Sequence, residues 1–372
     1  MKLFITSSYS YWGGFKPTDL RDPNSNVQIG GGETAMCNVA RELAALGHDV
    51  TVFYNTARSM KYEDVNYVDT SLFEHMACQI EHDVLVSWDL PHAFKTADRA
   101  KLHLMCFQLN DSQVGVFDHS IDLYFHPSNW HVKRFLELYP EITPSKTRAG
   151  LTNGVDLIRY TQDVARDRKR VIYSSSPDRG LHHLLRIWPS VIAAVPNAQL
   201  HVYYDMNRWL KLCDDLAASG LIVNTYERAM QVKSEMAHLA QNGTEPSVVF
   251  HGGVGQWQLA KAQLSSAVMC YPCDPVQPTE GFSMSCLEGI TAGCTLITSN
   301  ADALPELWTD APDTTLLPLP VDDGVWSDAI IKALSDERTE LRTAKIPEKF
   351  LWRNIAVEWM REISECLNSQ KQ

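Results

Sequence analysis

The sequence alternates between two kinds of segment, and it runs through that alternation twice. Short, nearly continuous apolar runs recur at KLFIT, DVTVFY, DVLVSW, LHLMCF and IDLYFH, and again at RVIYSS, QLHVYYD, SVVFHG, AVMCY and TLITS. Between them lie stretches of helical period. In ETAMCNVARELAALG, Met36, Val39, Ala40 and Leu43 share one face and Gly47 is a stop. SNWHVKRFLELYP reads as a helix capped by Ser128 and ended before Pro140. In GLHHLLRIWPSVIAAV, Pro189 predicts a kink or break. Continuous rather than alternating apolarity marks strands covered on both faces, which means parallel sheets flanked by helices. The fold class expected is α/β, with two doubly wound parallel-sheet domains facing each other across a cleft. The pattern restarts after LTNGVDLIRY, so the domains are expected at 1–155 and 156–348. The final helix, 349–368, is rich in Trp and Ile and is expected to pack back on the first domain.

The chain has 372 residues, 45% hydrophobic and 21% charged, enough for two separate cores. It holds no apolar run long enough to span a bilayer. Its start, MKLFITSSYSYWGG, reads as a first strand and not a signal peptide, so a cytoplasmic location is expected. The net charge of −12 disfavours nucleic acid without excluding it. A basic run nevertheless spans Lys146, Arg148, Arg159, Arg166, Arg168, Lys169, Arg170, Arg179 and Arg186. It reads equally as a solvated linker or as a positive field at an interdomain cleft, and it leaves peripheral membrane contact open. The nine cysteines are odd in number and scattered, as for reduced core thiols. CYPC at 270–273 closes a strand; it lacks the second ligand pair of a zinc site and the helix start of a redox pair.

Three constellations carry chemistry. In QIGGGETAMC, Gly30 to Gly32 precede a helix, where amides and dipole attract phosphate. Spacing and the absence of a ribose-binding acid after the next strand argue against a dinucleotide fingerprint. The preceding loop, YSYWGGFKPTDLRDPNSNVQ, is a candidate lid or acceptor loop. In YSSSPDRGLHHLL, Arg179 and Gly180 open a helix after a strand end, and Arg offers a fork for phosphate oxygens. In PTEGFSMSCLEGITAG, a helix is expected from near Ser283 to Gly293, with the amides of Gly281 to Ser285 as anion donors. Glu280 and Glu288 flank that start. Their separation, about 12 Å if helical, is of the order of the span from a sugar across a diphosphate to a ribose. Carboxylates accept well from vicinal hydroxyls.

With these residues in view, the chain resembles a GT-B-fold retaining glycosyltransferase of family 4, built from two Rossmann-like domains. EGFSMSCLE is similar to that family's E-x7-E element, and GITAGCTLITSNADALPEL to the helix, strand and Pro-Glu turn that come after it. GGGETAMCNVARELAALGHDVTVF, HPSNWHVKRFLELYP, LTNGVDLIRY and SPDRGLHHLLRIWPSVIAAVPNAQLHVYY extend the likeness over most of the chain. The resemblance implies a nucleoside-diphosphate sugar as donor and a glycan, lipid-linked sugar or other hydroxyl as acceptor. It gives Glu280 the donor sugar hydroxyls, Gly281, Phe282 and Ser283 the sugar and phosphate, Glu288 the ribose, and Arg179 with Gly31 and Gly32 the diphosphate. It implies no metal and no cofactor, and the chain has no D-x-D. The sequence departs from the family in two places. The region before Arg179 is YSSS, without the usual second cation. In FQLNDSQ, Asn110 and Asp111 stand where a His is common, which leaves Asp89 and His92 as substitutes on the acceptor side. The rival readings are an epimerase or phosphorylase on the same architecture, and an inactive nucleotide-sugar-binding protein.

Overall fold

The computed structural model describes residues 1–7, 15–56, 58–95, 99–108, 120–220, 224–337 and 348–370. Two compact units emerge. One comprises Met1–Asp22, Gln28–Asp156 and Pro347–Gln372; the other comprises Pro23–Val27 and Leu157–Ile346.

The first unit is built on an eight-stranded sheet. Its elements are β1 (Lys2–Ser7), α1 (Gly31–Ala45), β2 (Asp49–Tyr54), β3 (Met60–Tyr62), β4 (Val65–Asp69), α2 (Phe73–Gln79), β5 (His82–Trp88), β6 (Ala100–Cys106), β7 (Leu123–His126), α3 (Asn129–Leu138) and β8 (Thr147–Ala149). The strand order is β3-β4-β2-β1-β5-β6-β7-β8. Every pair is parallel except the β3–β4 hairpin. Val84, Leu85 and Val86 of β5 are wholly buried, as the unbroken apolar runs require of a sheet with two covered faces. Gly47 ends α1 in the left-handed region, and Ser128 caps α3 by accepting from His131 N at 3.1 Å.

The second unit contains β9 (Asp167–Tyr173), α4 (Leu181–Ala194), β10 (Gln199–Val202), α5 (Met206–Ala218), α6 (Asn224–Gln241), β11 (Val248–Phe250), α7 (Gln256–Leu264), β12 (Ser266–Tyr271), α8 (Met284–Thr291), β13 (Thr295–Ser299), α9 (Leu304–Trp308), β14 (Thr314–Leu317) and α10 (Asp323–Leu334). Its six strands are parallel in the order β11-β10-β9-β12-β13-β14. The chain leaves β9 toward β10 on one side and later returns to lay β12 on the other. The β9–β12 boundary is therefore the point where strand order reverses, the place at which open α/β sheets hold ligands. Helix α4 runs on through Pro189, so of the kink or break expected there the break does not occur. The segment Pro23–Val27 belongs to this unit: Gln258 donates to Asn26 Oδ1, and a Cβ on Gly255 would collide with the Ser25 carbonyl.

Helix α11 (Trp352–Ser369) joins the first unit. Trp359 stacks on Trp88, meets Phe125 edge-on and donates its indole N–H to Leu151 O at 2.6 Å. Glu362 accepts from Arg148. Gly154 has no room for a side chain, because a Cβ there would lie 2.7 Å from Ile355 Cδ1 and 2.8 Å from Phe350 O. Replacing Trp359 by Ala is expected to cost the first unit about 3–5 kcal/mol. Trp359→Phe should cost less, mainly the one hydrogen bond. Chemical denaturation followed by tryptophan fluorescence checks both; two variants of unchanged midpoint would refute the anchoring role.

Candidate active site

At the β9–β12 switch point two loops lie side by side. The first, after β9, carries Ser174 to Gly180; the second, after β12, runs from Pro272 to Ser283. Gly180 is where they touch. Its φ is +105°, and a Cβ would collide with the Pro272 carbonyl, so glycine is required both for backbone conformation and for space. Beside it, Arg179 donates to Thr279 Oγ1 and lies 4.0 Å from Glu280 Oε2 and 3.7 Å from Asp178. Burial alone would depress this guanidinium, but Glu280 leads a set of neighbours that hold it above its ordinary value.

Glu280 is buried, 7% exposed. One oxygen, Oε2, accepts from Tyr271 OH at 2.6 Å and from the Cys273 thiol at 3.6 Å. Its other oxygen makes no hydrogen bond among the described residues. The backbone of Glu280 is gripped from the turn after β13: its N–H donates to Asp302 Oδ2 at 2.9 Å, and its carbonyl accepts from Ala303 N at 3.2 Å. Asp302 itself adopts a left-handed φ of +48°. Burial pushes the Glu280 carboxyl above the usual range, against the pull of Arg179, Tyr271 and Cys273.

Helix α8 begins one residue later than the sequence suggests, with Ser283 as its N-cap. Ser283 Oγ accepts from Cys286 N at 3.2 Å, so one of the amides that a helix start exposes is taken by the protein itself. The start is also tethered: Ser285 Oγ donates to Ser174 O at 2.7 Å, and the Phe282 ring meets Trp308 edge-on. Gly289 lets the helix lie against β12, because a Cβ would approach Met269 to 2.9 Å. Glu288 is as buried as Glu280. It accepts from Gln263 Nε2 at 3.1 Å and stands 3.7 Å from the Arg159 guanidinium. Burial raises its carboxyl as well, while Arg159 and Gln263 oppose the rise.

Among the residues proposed from sequence, Arg179, Glu280, Gly281, Phe282, Ser283 and Glu288 share this one region of the second unit. Gly31 and Gly32 belong to the first unit, where they do not precede a helix but open it, with Gly30 as N-cap. Asp89, at φ +53°, uses Oδ1 to accept from Gln108 N at 2.9 Å and so anchors the strand-end turn. His92 sits exposed in the short turn Pro91–Lys95. Asn110 and Asp111 lie outside the described residues. So does the first part of the candidate lid loop. The part described is anchored, with Phe15 packed on Tyr54 and its carbonyl accepting from Tyr54 OH.

Much of the basic run is engaged within the fold. Lys146 donates to Ile121 O, Arg148 to Glu362, Lys169 to Pro196 O and Arg170 to Tyr203 OH. Arg186 pairs with Asp323, and Arg166 donates to Ala292 O and Gly293 O at the end of α8. Arg159 is buried and donates to Gln256. Among the described residues, His182, His183 and Asp274 form a group with the spacing of metal ligands. A cation already stands there: Arg228 donates to His182 Nε2 at 2.7 Å and to Asp274 O at 2.9 Å, while His183 Nε2 lies 2.8 Å from Asp274 Oδ2. Burial, with His183 and Arg228, pushes His182 down to about 3, which leaves it neutral to accept.

Sequence reasoning missed Tyr271, Cys273, Asp302, Arg159 and Gln263. Tyr271 and Cys273 stood in CYPC, Arg159 in the basic run and Asp302 in the stretch after the E-x7-E element, each without a role at the site. Replacing Tyr271 by Phe removes a donor that favours the charged form of Glu280, so that carboxyl should titrate higher still. Carbon-13 NMR titration of labelled glutamate reads the shift; an unchanged midpoint would show that the hydroxyl does not support the charge.

Residues 167–349 match the family described as Glycosyl transferases group 1. A comparison with curated protein sequences gives no match. Among solved structures, a sucrose-phosphate synthase from Thermosynechococcus elongatus aligns over 99% of this chain and 100% of its own, with a TM-score of 0.68 at 14% identity. The Anabaena protein HepE, in complex with UDP and glucose, aligns over 99% of both chains, with a TM-score of 0.63 at 14% identity. AviGT4, a glycosyltransferase involved in avilamycin A biosynthesis, covers 99% of this chain and 98% of its own, with a TM-score of 0.62 at 13% identity. No helix among the described residues is long and apolar enough to cross a membrane. With a Glycosyl transferases group 1 domain at 167–349 and the two parallel-sheet α/β domains of GT-B structures, this chain is a glycosyltransferase.

Proposed function

We propose that the chain is a family 4 enzyme that moves a sugar from a nucleoside-diphosphate sugar to an acceptor hydroxyl, with retention at the anomeric carbon and without a metal. The observation that carries this reading is the pair of buried acids flanking the α8 start at the strand-order reversal. Each acid spends Oε2 on protein donors and makes no hydrogen bond through Oε1 among the described residues. Glu280 would take hydroxyls of the donor sugar and Glu288 those of the ribose. Between them, the backbone of Gly281, Phe282 and Ser283 and the Arg179 guanidinium would hold the diphosphate. Gly31 and Gly32 would contribute from the first unit.

Departure of the diphosphate leaves an oxocarbenium-like centre, and the greater need is to stabilise charge on the leaving group. A guanidinium and a helix start meet that need, so the reading gives no step to a metal. Glu280 already has Tyr271, Cys273 and Arg179 on one oxygen, which suits a fixed acceptor of hydroxyls better than a nucleophile. The acceptor, a glycan, lipid-linked sugar or other hydroxyl, would be handled by the first unit, with Asn110 and Asp111 as the residues proposed there. The UDP in the Anabaena neighbour supports a nucleoside-diphosphate donor. A cytoplasmic location fits such a donor.

A thermal-shift screen of UDP, GDP, ADP, dTDP and their sugars tests the donor. At a hundredfold excess over Kd, a ligand of the native state adds about 2.7 kcal/mol. At least one should raise Tm, and silence from all of them would overturn the assignment. Glu288→Ala should reduce the shift. Glu280→Ala should keep most of it while lowering kcat by about a hundredfold. Donor binding with no turnover, unaffected by Glu280→Ala, would instead mark a binding protein. The anomeric configuration of the product decides retention.

A further inference from the structure

Glu288 does not stand alone in its pocket. Gln263, wholly buried on α7, accepts from Tyr160 OH through Oε1 at 2.9 Å and donates through Nε2 to Glu288 Oε2 at 3.1 Å. Turning the amide over would set its oxygen against a carboxylate oxygen, acceptor facing acceptor, so the Glu288 bond selects the orientation, and the Tyr160 hydroxyl holds the far side of the amide in place. Arg159, 3% exposed, is held by Gln256 at Nη1. Its Nη2 faces Glu288 Oε1 at 3.7 Å, close enough for attraction and too far for a hydrogen bond. Oε1 is thus the atom left to a ligand.

We propose that Gln263 and Arg159 are positioning residues that keep Glu288 ionised and aimed at the two hydroxyls of a nucleotide ribose, with Tyr160 anchoring the Gln263 amide. The inference rests on the ribose role given to Glu288 above. A ribose presents two neighbouring O–H donors, and an ionised carboxylate accepts from both, whereas a protonated one must offer a donor of its own. Burial favours the protonated form, and the two partners oppose it. Among the described residues, the titratable groups that interact with the carboxyl are Arg159 and Tyr160 on the turn Leu157–Tyr160, and Cys294 acts in turn on Tyr160. Ribose preference should therefore be present above the Glu288 pKa and lost as pH falls through it. Removing either partner raises that pKa and moves the loss to higher pH.

The test uses the whole chain and calorimetric binding of UDP, GDP and ADP, each against its 2′,3′-dideoxy counterpart, from about pH 5 to about pH 8. For the base that binds, wild type should prefer the ribose form by about tenfold or more. Glu288→Gln should abolish the preference. Gln263→Leu and Arg159→Met should cut it several-fold at neutral pH, shift its acid limb upward and leave dideoxy affinity unchanged, which a general loss of structure would not. Arg159→Lys should restore most of it. Tyr160→Phe, which deletes a single oxygen, should act in the same direction as Gln263→Leu and serves if the latter fails to fold. If none of the three ribonucleotides binds wild type, or if Glu288→Gln keeps the preference, the ribose reading falls and this inference falls with it. If Glu288→Gln loses the preference while the Gln263, Arg159 and Tyr160 variants keep both it and its acid limb, the ribose reading stands and the inference is overturned.

Discussion

Taking a carboxylate out of water is expensive unless donors replace the lost hydration, and the second unit does this twice around one short helix. The donors come from separate places in the chain. Tyr271 and Cys273 come from β12 and its end, Arg179 from the loop after β9, Gln263 from α7 and Arg159 from the turn before β9. They converge because the strand order puts β12 beside β9. The order of the sheet and the tolerance for two buried acids are therefore one requirement. A different order would take Arg179 from Glu280 and Arg159 from Glu288.

The helix that carries Glu288 is fixed at both ends. Its start is held by the Ser283 cap and by the tie from Ser285 to Ser174, and its end by Arg166 on the carbonyls of Ala292 and Gly293. A cation at the C-terminal end complements the helix dipole, and so would an anion at the N-terminal end. The Asp302 turn adds a grip on the peptide unit just ahead. A site fixed in this way binds with little reorganisation, the condition under which oriented dipoles stabilise a departing charge most effectively.

Much of the frame was legible because its physics is local. Strands covered on both faces must be apolar throughout, so β1, β2, β5 and β12 announced themselves, as did the Ser128 cap and the Gly47 stop. The hairpin of β3 and β4 was missed: MKYEDVNYVD is polar and lies at the sheet edge, where burial leaves little mark on sequence. Pro189 does not end its helix because tertiary packing outweighs a local helix penalty; Leu184, Leu185, Ile187, Trp188 and Val191 around it are all buried. At the site, Glu280 and Glu288 could be picked out from their spacing around a helix start, and Arg179 from its place between a strand end and a helix. Their supports could not. Gln263 precedes Glu288 and Asp302 succeeds Glu280 at separations that only the sheet order brings together. The partners of the basic run, remote carbonyls and acids, were hidden for the same reason.

The C-terminal helix of the first unit bears on how the molecule is made. The indole of Trp359 covers Trp88 and Phe125, and the bridge from Val155 to Leu351 closes the same face. These contacts cannot form until residues beyond 350 have left the ribosome, whereas the second unit is complete by Ile346. Domains close as their segments emerge, so the half encoded first would be the half finished last. During synthesis its aromatic face would stay uncovered while its neighbour matures, which makes that face the natural point of contact for a chaperone on the nascent chain.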